Sequence, residues 1–352
     1  MARVYTAGFE TGDLAELTST SGSIATDQVH GGNYSWKNPL LVDVIVISPL
    51  SECFLRCWFR KDANPSGNSS LLSLRDSAGS QTALLVLNAD GTIGVEAAGG
   101  TRQNGSTVLS INTWYRINFR YKKGTGSNAI AEFSIDGGAI EASSTNGTGT
   151  ADVERVRTSE LGLTSVTRWF DDIAIDGAAF PGDGSVYALR PNAVGTEDNF
   201  SNTFAEIDDL PPDDTTGRVA PASGSIPFLN NLTTVSIEGG INDFLISVRA
   251  KRGTGQAREH YIRSKKFQDF VQNSPNLALT AGVVYYTFRF DLVPTTQAEL
   301  DGHQAGMTQS AAGGQLATCT EVYAMVEVAP SGAPPSTVIQ DIIGRGVVAF
   351  AR

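Results

Sequence analysis

From Trp114 to Tyr121 every second side chain is large and apolar: Tyr115, Ile117, Phe119 and Tyr121 fall on one side of an extended chain, Arg116, Asn118 and Arg120 on the other. A period of two is the pattern of a strand with one face in a core and the other in water, and a helix does not present it. Residues 131–135 repeat the device, setting Phe133 and Ile135 against Glu132 and Ser134 before Asp136-Gly137-Gly138. Asn88-Ala89-Asp90-Gly91 likewise lies between Leu84-Leu85-Val86-Leu87 and Thr92-Ile93-Gly94-Val95. An Asp-Gly pair supplies the positive φ that a tight hairpin turn demands, so a hairpin is expected at each place.

Further strands are expected at 41–47, 53–60, 70–75 and 168–175. Pro181-Gly182-Asp183-Gly184-Ser185 is a break, beyond which strands are expected at 233–237, 243–249, 260–267, 283–292 and 320–328. Thr295-Thr296 ahead of Glu299 is the one convincing helix start. The 37 glycines against 3 methionines, and a charged fraction of 18%, suit short strands joined by turns better than helices with Glu- and Lys-rich surfaces. At 352 residues the chain exceeds what one hydrophobic core usually serves. The expected architecture is therefore all-β: a jelly-roll sandwich over 1–181, a second β-rich domain over 182–329, and a proline-containing tail over 330–352. The tail carries Ile339, Ile342 and Ile343 and ends in Val347-Val348-Ala349-Phe350. Such apolar stretches are expected to pack on the body or on a neighbouring chain, as an added strand.

A net charge of −11 and a pI near 4.8 argue against nucleic acid, whose sequence-independent binding needs clustered Lys and Arg to release counterions. The sequence holds no apolar run of about 18 residues, so no membrane insertion is expected. Met1-Ala2-Arg3-Val4-Tyr5 lacks the basic-then-apolar design of a secretion signal, and synthesis in a cytoplasm is expected.

Cys53, Cys57 and Cys319 are odd in number. On a strand Cys53 and Cys57 would stand about 13 Å apart at ~3.3 Å per residue, beyond the reach of a disulfide. All three read as buried apolar side chains. The sequence contains no Gly-x-Ser-x-Gly elbow, no phosphate-cradling loop, no His-Glu-x-x-His and no full calcium loop. Neither catalytic residues nor a cofactor is expected, and the protein is read as non-enzymatic. Glu206-Ile207-Asp208 begins a Glu-x-Asp-x-x-Glu pattern of sandwich glycosidases, but Leu210 and Pro211 follow where a second Glu would be needed. Asp172 and Asp176, flanking Ile173-Ala174-Ile175, are the candidates for a metal, and Asp213-Asp214 is an acidic loop at which calcium is the alternative to solvation. The run Arg249, Lys251, Arg252, Arg258, Arg263, Lys265 and Lys266 is the one strong basic asymmetry. It is expected to form a hairpin tipped by Gly253-Thr254-Gly255, either solvated or docked on an acidic neighbouring subunit through Arg249, Lys251 and Arg252. Tyr34, Trp36 and Trp169 are the candidates for glycan contact, against core packing as the alternative.

Four segments resemble, in order, the laminin-G/concanavalin A-like sandwich: Gly8-Phe9-Glu10, Thr113-Trp114-Tyr115-Arg116-Ile117-Asn118-Phe119, Ser134-Ile135-Asp136-Gly137 and Trp169-Phe170-Asp171-Asp172-Ile173-Ala174-Ile175-Asp176. They span about half of the chain. With Val186-Tyr187-Ala188-Leu189-Arg190-Pro191-Asn192 and Asp208-Asp209-Leu210-Pro211-Pro212-Asp213-Asp214 behind them, the arrangement resembles particle proteins of tailed bacteriophages. The resemblance implies a virion location, tail or capsid decoration, with other virion proteins, copies of itself and host-surface glycan as partners. The expected function is a non-enzymatic virion structural protein; the alternatives are a freestanding carbohydrate-binding lectin module or a glycan-cleaving enzyme on the same fold.

Overall fold

The computed structural model describes residues 3–14, 16–18, 22–37, 42–124, 128–145, 149–158, 166–209, 213–221, 226–253, 259–266, 270–290, 293–310, 317–331 and 348–350. The chain forms two compact units, Met1–Gly182 and Asp183–Arg352. Each is a pair of antiparallel sheets.

The first unit carries β1 (Arg3–Ala7), β2 (Ser23–Ala25), β3 (Ser35–Lys37), β4 (Val42–Leu50), β5 (Glu52–Lys61), β6 (Ser69–Arg75), β7 (Gln81–Leu87), β8 (Ile93–Ala97), β9 (Gln103–Asn104), β10 (Tyr115–Lys122), β11 (Ile130–Ile135), β12 (Ile140–Thr145), β13 (Val153–Thr158) and β14 (Arg168–Asp176). An eight-stranded sheet runs β12-β11-β10-β5-β14-β3-β2, with β1 also on β14; a six-stranded sheet runs β4-β13-β6-β7-β8-β9. Both expected hairpins are present. Asp136 and Gly137 take φ of 51° and 72° between β11 and β12, and Gly91 takes 88° between β7 and β8. Two successive positive φ values match the twist of the strands they join.

Alternation divides the eight-stranded sheet into two faces. Cys53, Leu55, Cys57 and Phe59 of β5, Ile117, Phe119 and Tyr121 of β10, and Phe170 of β14 enter the core between the sheets. Their neighbours in sequence therefore face outward. All three cysteines are buried and free, and burial pushes each thiol up to about 12.

The second unit carries β15 (Ser185–Leu189), β16 (Pro191–Asp198), β17 (Arg218–Val219), β18 (Ile226–Leu232), β19 (Ile241–Arg252), β20 (His260–Lys266), β21 (Phe270–Asn273), β22 (Val284–Arg289), β23 (Gln304–Gln309), β24 (Ala317–Val328) and β25 (Val348–Phe350). Its sheets run β15-β24-β19-β22-β25, with β17 on β24, and β16-β18-β23-β20-β21. The tail returns as an added strand: β25 pairs with β22. Helix α1 (Gln297–Asp301) starts where the hydroxyl signal placed it, the Thr296 side chain accepting from the Glu299 amide.

Two expectations are corrected here. Residues 233–237 form no strand; the strand is the preceding β18, hidden from the sequence reading by Pro227, a residue that removes a ladder donor. The basic run is not a hairpin, because β19 and β20 belong to different sheets. Thr254, Gly255 and Arg258 lie outside the described residues.

Candidate functional site: an aromatic and cationic sheet face

The outward positions of the eight-stranded sheet form a regular lattice. Arg116 stands opposite Trp58 and Asn118 opposite Arg56. Across the other edge of β5, Trp169 stands opposite Arg60 and Asp171 opposite Trp58, and Lys37 stands opposite Trp169. Trp58 and Trp169 are thus diagonal neighbours, close enough on a pleated face for large side chains to act together. Trp114, one residue before β10, keeps the same parity.

His30 joins this face from the loop between β2 and β3. Its ring stacks on Trp58, with centroids 3.6 Å apart and planes 16° from parallel, and meets Trp114 edge-on at 6.0 Å. The stack is fixed from behind, since Nδ1 lies 2.6 Å from Asp172 Oδ2. Asp172 is turned toward His30 because β14 bulges after Asp171 and Asp172 takes a φ of 45°. A bulge bends a strand and re-aims a side chain that strict alternation would send elsewhere. Arg56 closes the bulge by donating from Nε and Nη2 to the Asp172 carbonyl, at 3.2 and 2.9 Å, and from Nη1 to the Gly182 carbonyl at 2.6 Å.

Beneath His30 lies a set of buried carboxyls. Asp171 Oδ2 accepts from the His30 amide at 2.8 Å, and Glu10 accepts from the amides of Asn33 and Tyr34. Glu16 Oε2 accepts from Gly8 and Phe9. Loss of water on burial raises Glu10 to about 8 and Glu16 to about 7 and also raises Asp171, all outweighing the backbone donors that pull the other way. These acids tie the 30–34 loop and the N-terminal strand to β14, and they set where His30 sits.

The site residues expected from sequence fall into three groups. Trp36 is fully buried among Phe9 and Phe170, and Tyr34 packs against the same core; both serve packing. Trp169 does lie on the outer face. Its ring is flanked by Lys37 Nζ at 5.2 Å and Arg60 Cζ at 5.7 Å from the centroid. Asp172 and Asp176 are not brought together: Asp172 is held by His30, whereas Asp176 Oδ1 accepts from the Ala178 amide and lies opposite Phe54 at the far end of β14. Glu206 sits in a single 3₁₀ turn. Asp213 caps the turn at Thr215 and Thr216, and Asp214 pairs with both Nε and Nη2 of Arg249. Arg249 is thereby engaged within its own chain, Lys251 is half-buried and Arg252 is exposed. Ile339, Ile342 and Ile343 lie outside the described residues. Among the described residues no group of three or more His, Cys, Asp or Glu is placed to hold a metal ion.

Trp58, Trp114, Arg60 and His30 were missed in the sequence. The signal was present: Phe54-x-Arg56-x-Trp58-x-Arg60 and Trp114-x-Arg116-x-Asn118-x-Arg120 place tryptophan in the rows that alternation assigns to water.

No protein-family model matches the chain, and no curated protein matches it. Among solved structures it is similar to a sialidase (13% identity, 41% of this chain and 14% of that one, TM-score 0.32). It is also similar to an endo-β-1,4-glucuronan lyase from the fungus Trichoderma reesei (12%, 46% and 89%, 0.33) and to an alginate lyase (14%, 42% and 82%, 0.31). The chain thus spans about a seventh of that sialidase. Likeness of this degree, over less than half of the chain, carries no conclusion about what the protein acts on. The expectation of a virion structural protein is not met by these neighbours, which are a sialidase and two polysaccharide lyases rather than particle proteins.

Proposed function

We propose that the N-terminal unit binds carbohydrate on the outer face of its eight-stranded sheet and holds it without cleaving it. The observation that carries this reading is the placement of Trp58, Trp114 and Trp169 on the side of the sheet that faces away from the core, with His30 stacked among them. Core packing accounts for Trp36 and does not account for these three. An indole offers a flat apolar face to the C–H surface of a sugar ring and an N–H to a hydroxyl. The N–H groups of Trp58 and Trp169 are buried and have no hydrogen-bond partner among the described residues. Buried donors are normally satisfied, and a sugar hydroxyl would satisfy these. Guanidinium groups of the same lattice supply the convergent polar contacts that fix a ligand's orientation.

The test is a glycan array probed with the whole chain and with Trp58→Ala and Trp114→Ala. Retention by the parent, lost in both variants while circular dichroism stays unchanged, is the expected result. Reducing-end assays on the retained glycan are expected to show no release. A parent that retains nothing, or variants that retain glycan as the parent does, would overturn the proposal.

A further inference from the structure

Resting on the carbohydrate reading, we infer that the preferred saccharide carries an anionic group, carboxylate or sulfate, which sits between Lys37 and Arg60 at the edge of Trp169. The two cations flank one indole from neighbouring strands, Lys37 from β3 and Arg60 from β5. Among the described residues neither is matched by a buried carboxylate. Arg60 donates from Nη1 and Nη2 to the main-chain carbonyl and side-chain oxygen of Asn112, both neutral acceptors. Lys37 approaches a single carboxylate, Asp27, at 3.4 Å, and that side chain is 55% exposed. An ion pair so open to water contributes little and is readily exchanged. In a chain of net charge −11, two under-compensated cations on one patch run against the overall field.

The indole between them points the same way. Trp169 is only 5% exposed, yet its Nε1–H has no partner among the described residues. The Lys37 and Arg60 side chains flank the ring, so whatever group reaches its edge meets two cations. An anionic substituent at the ring edge would accept from the ammonium, the guanidinium and the indole together, and charge-assisted hydrogen bonds of this kind are about twice as strong as neutral ones. The His30–Trp58–Trp114 cluster would hold the sugar ring and the Lys37–Arg60 pair its charge.

The experiment prints neutral, carboxylated and sulfated versions of the same polysaccharide backbones and measures binding of the whole chain, Arg60→Gln, Lys37→Gln and Trp58→Ala. Anionic versions are expected to bind about tenfold or more tightly than the neutral backbone, a difference equal to one good ionic contact, and to weaken as salt is raised. Arg60→Gln and Lys37→Gln should bring the anionic ligand down to the neutral level, whereas Trp58→Ala should weaken both. Preference for the carboxylated or the sulfated series identifies the group. Equal binding of neutral and anionic versions would leave the carbohydrate reading standing and overturn this inference. Anionic binding that Arg60→Gln and Lys37→Gln leave unchanged would also overturn it. Binding of no version would overturn both.

Discussion

His30 Nδ1 and Asp172 Oδ2 lie 2.6 Å apart although 142 residues of chain separate them. The contact locks a loop that follows β2 onto the last strand of the same unit, and it leaves the imidazole flat against Trp58. Replacing His30 with Ala would remove this hydrogen bond from the fully buried Asp172 carboxyl and free the indole it covers. Removing one partner of a buried hydrogen bond costs about 1–3 kcal/mol. His30→Ala is therefore expected to lower stability in urea by that order and to raise the solvent quenching of tryptophan fluorescence. Unchanged stability would mean that the His30–Asp172 contact contributes nothing to holding the loop.

The pH response of the two units is expected to differ in sign. Burial lifts the folded Glu16 to about 7 and Glu10 to about 8 from an ordinary 4.5, so the unfolded chain releases these protons first. Their contribution to stability is full below about pH 4.5 and is lost as pH rises through 7 and 8. For Glu16 alone that is on the order of 3 kcal/mol. In the second unit, hydrogen bonds from Thr215 and Thr216 pull Asp213 down to about 2, and those from Thr295, aided by Lys266, pull Glu299 down to about 2. Stability tied to those groups is present above about pH 4 and is lost as pH falls through 2. Hydrogen exchange read by mass spectrometry should show residues 3–18 and 30–36 losing protection from pH 5 to 9, and residues 213–217 and 295–301 losing it from pH 5 to 2. Glu16→Gln keeps an oxygen for the Gly8 and Phe9 amides and should flatten the alkaline loss; an unaltered slope would show that Glu16 does not titrate there.

Trp36 and Trp58 separate packing from binding. Trp36 is fully buried against Phe9 and Phe170, and a Trp→Ala change in such a core costs about 3–5 kcal/mol. Trp58 faces outward and is half-buried, so Trp58→Ala should cost clearly less, about 1 kcal/mol, while abolishing glycan retention. Denaturation midpoints and array signal for the two variants decide it; equal destabilisation would return Trp58 to a structural role.

Much of this fold was legible because alternation and turn chemistry are local. The rows Ile117, Phe119, Tyr121 and Phe133, Ile135 enter the core as their period demands, and Asp136-Gly137 makes its turn. The site was harder to read because it is assembled from distant segments. His30 meets Trp58 and Asp172 only after β5 and β14 have paired, and the bulge that turns Asp172 toward His30 shows in the sequence only as a three-residue step from Phe170 to Ile173 in a row of period two. Lone tryptophans misled for a related reason: Trp36 lies in a strand of three residues, too short to show a period, and only the assembled sheet puts it in the core while Trp58 faces outward. The basic run misled because charges spaced along β19 and β20 find partners in other elements, as Arg263 does with Glu197 and Lys266 with Glu299.

Arg249 provides the sharpest test of that last point. Its guanidinium meets both oxygens of Asp214 and lies over the Tyr285 ring, 4.8 Å from the centroid, while the Tyr285 hydroxyl donates to Glu321. A side chain so committed is a clamp between the 213–216 turn and β19 rather than a free docking charge. Arg249→Glu would set a second carboxylate against Asp214, and loss of a charged hydrogen-bonded pair costs about 1.5–3 kcal/mol, more with the added repulsion. Asp214→Arg in the same chain would restore opposite charges and should recover part of the loss, because residues in contact couple energetically. Lys251→Glu and Arg252→Glu, at half-buried and exposed positions, should stay within about 0.5 kcal/mol of the parent. Urea unfolding of the single and double variants checks both statements. A double variant no more stable than Arg249→Glu would show that the contact with Tyr285, rather than the ion pair, holds Arg249 in place.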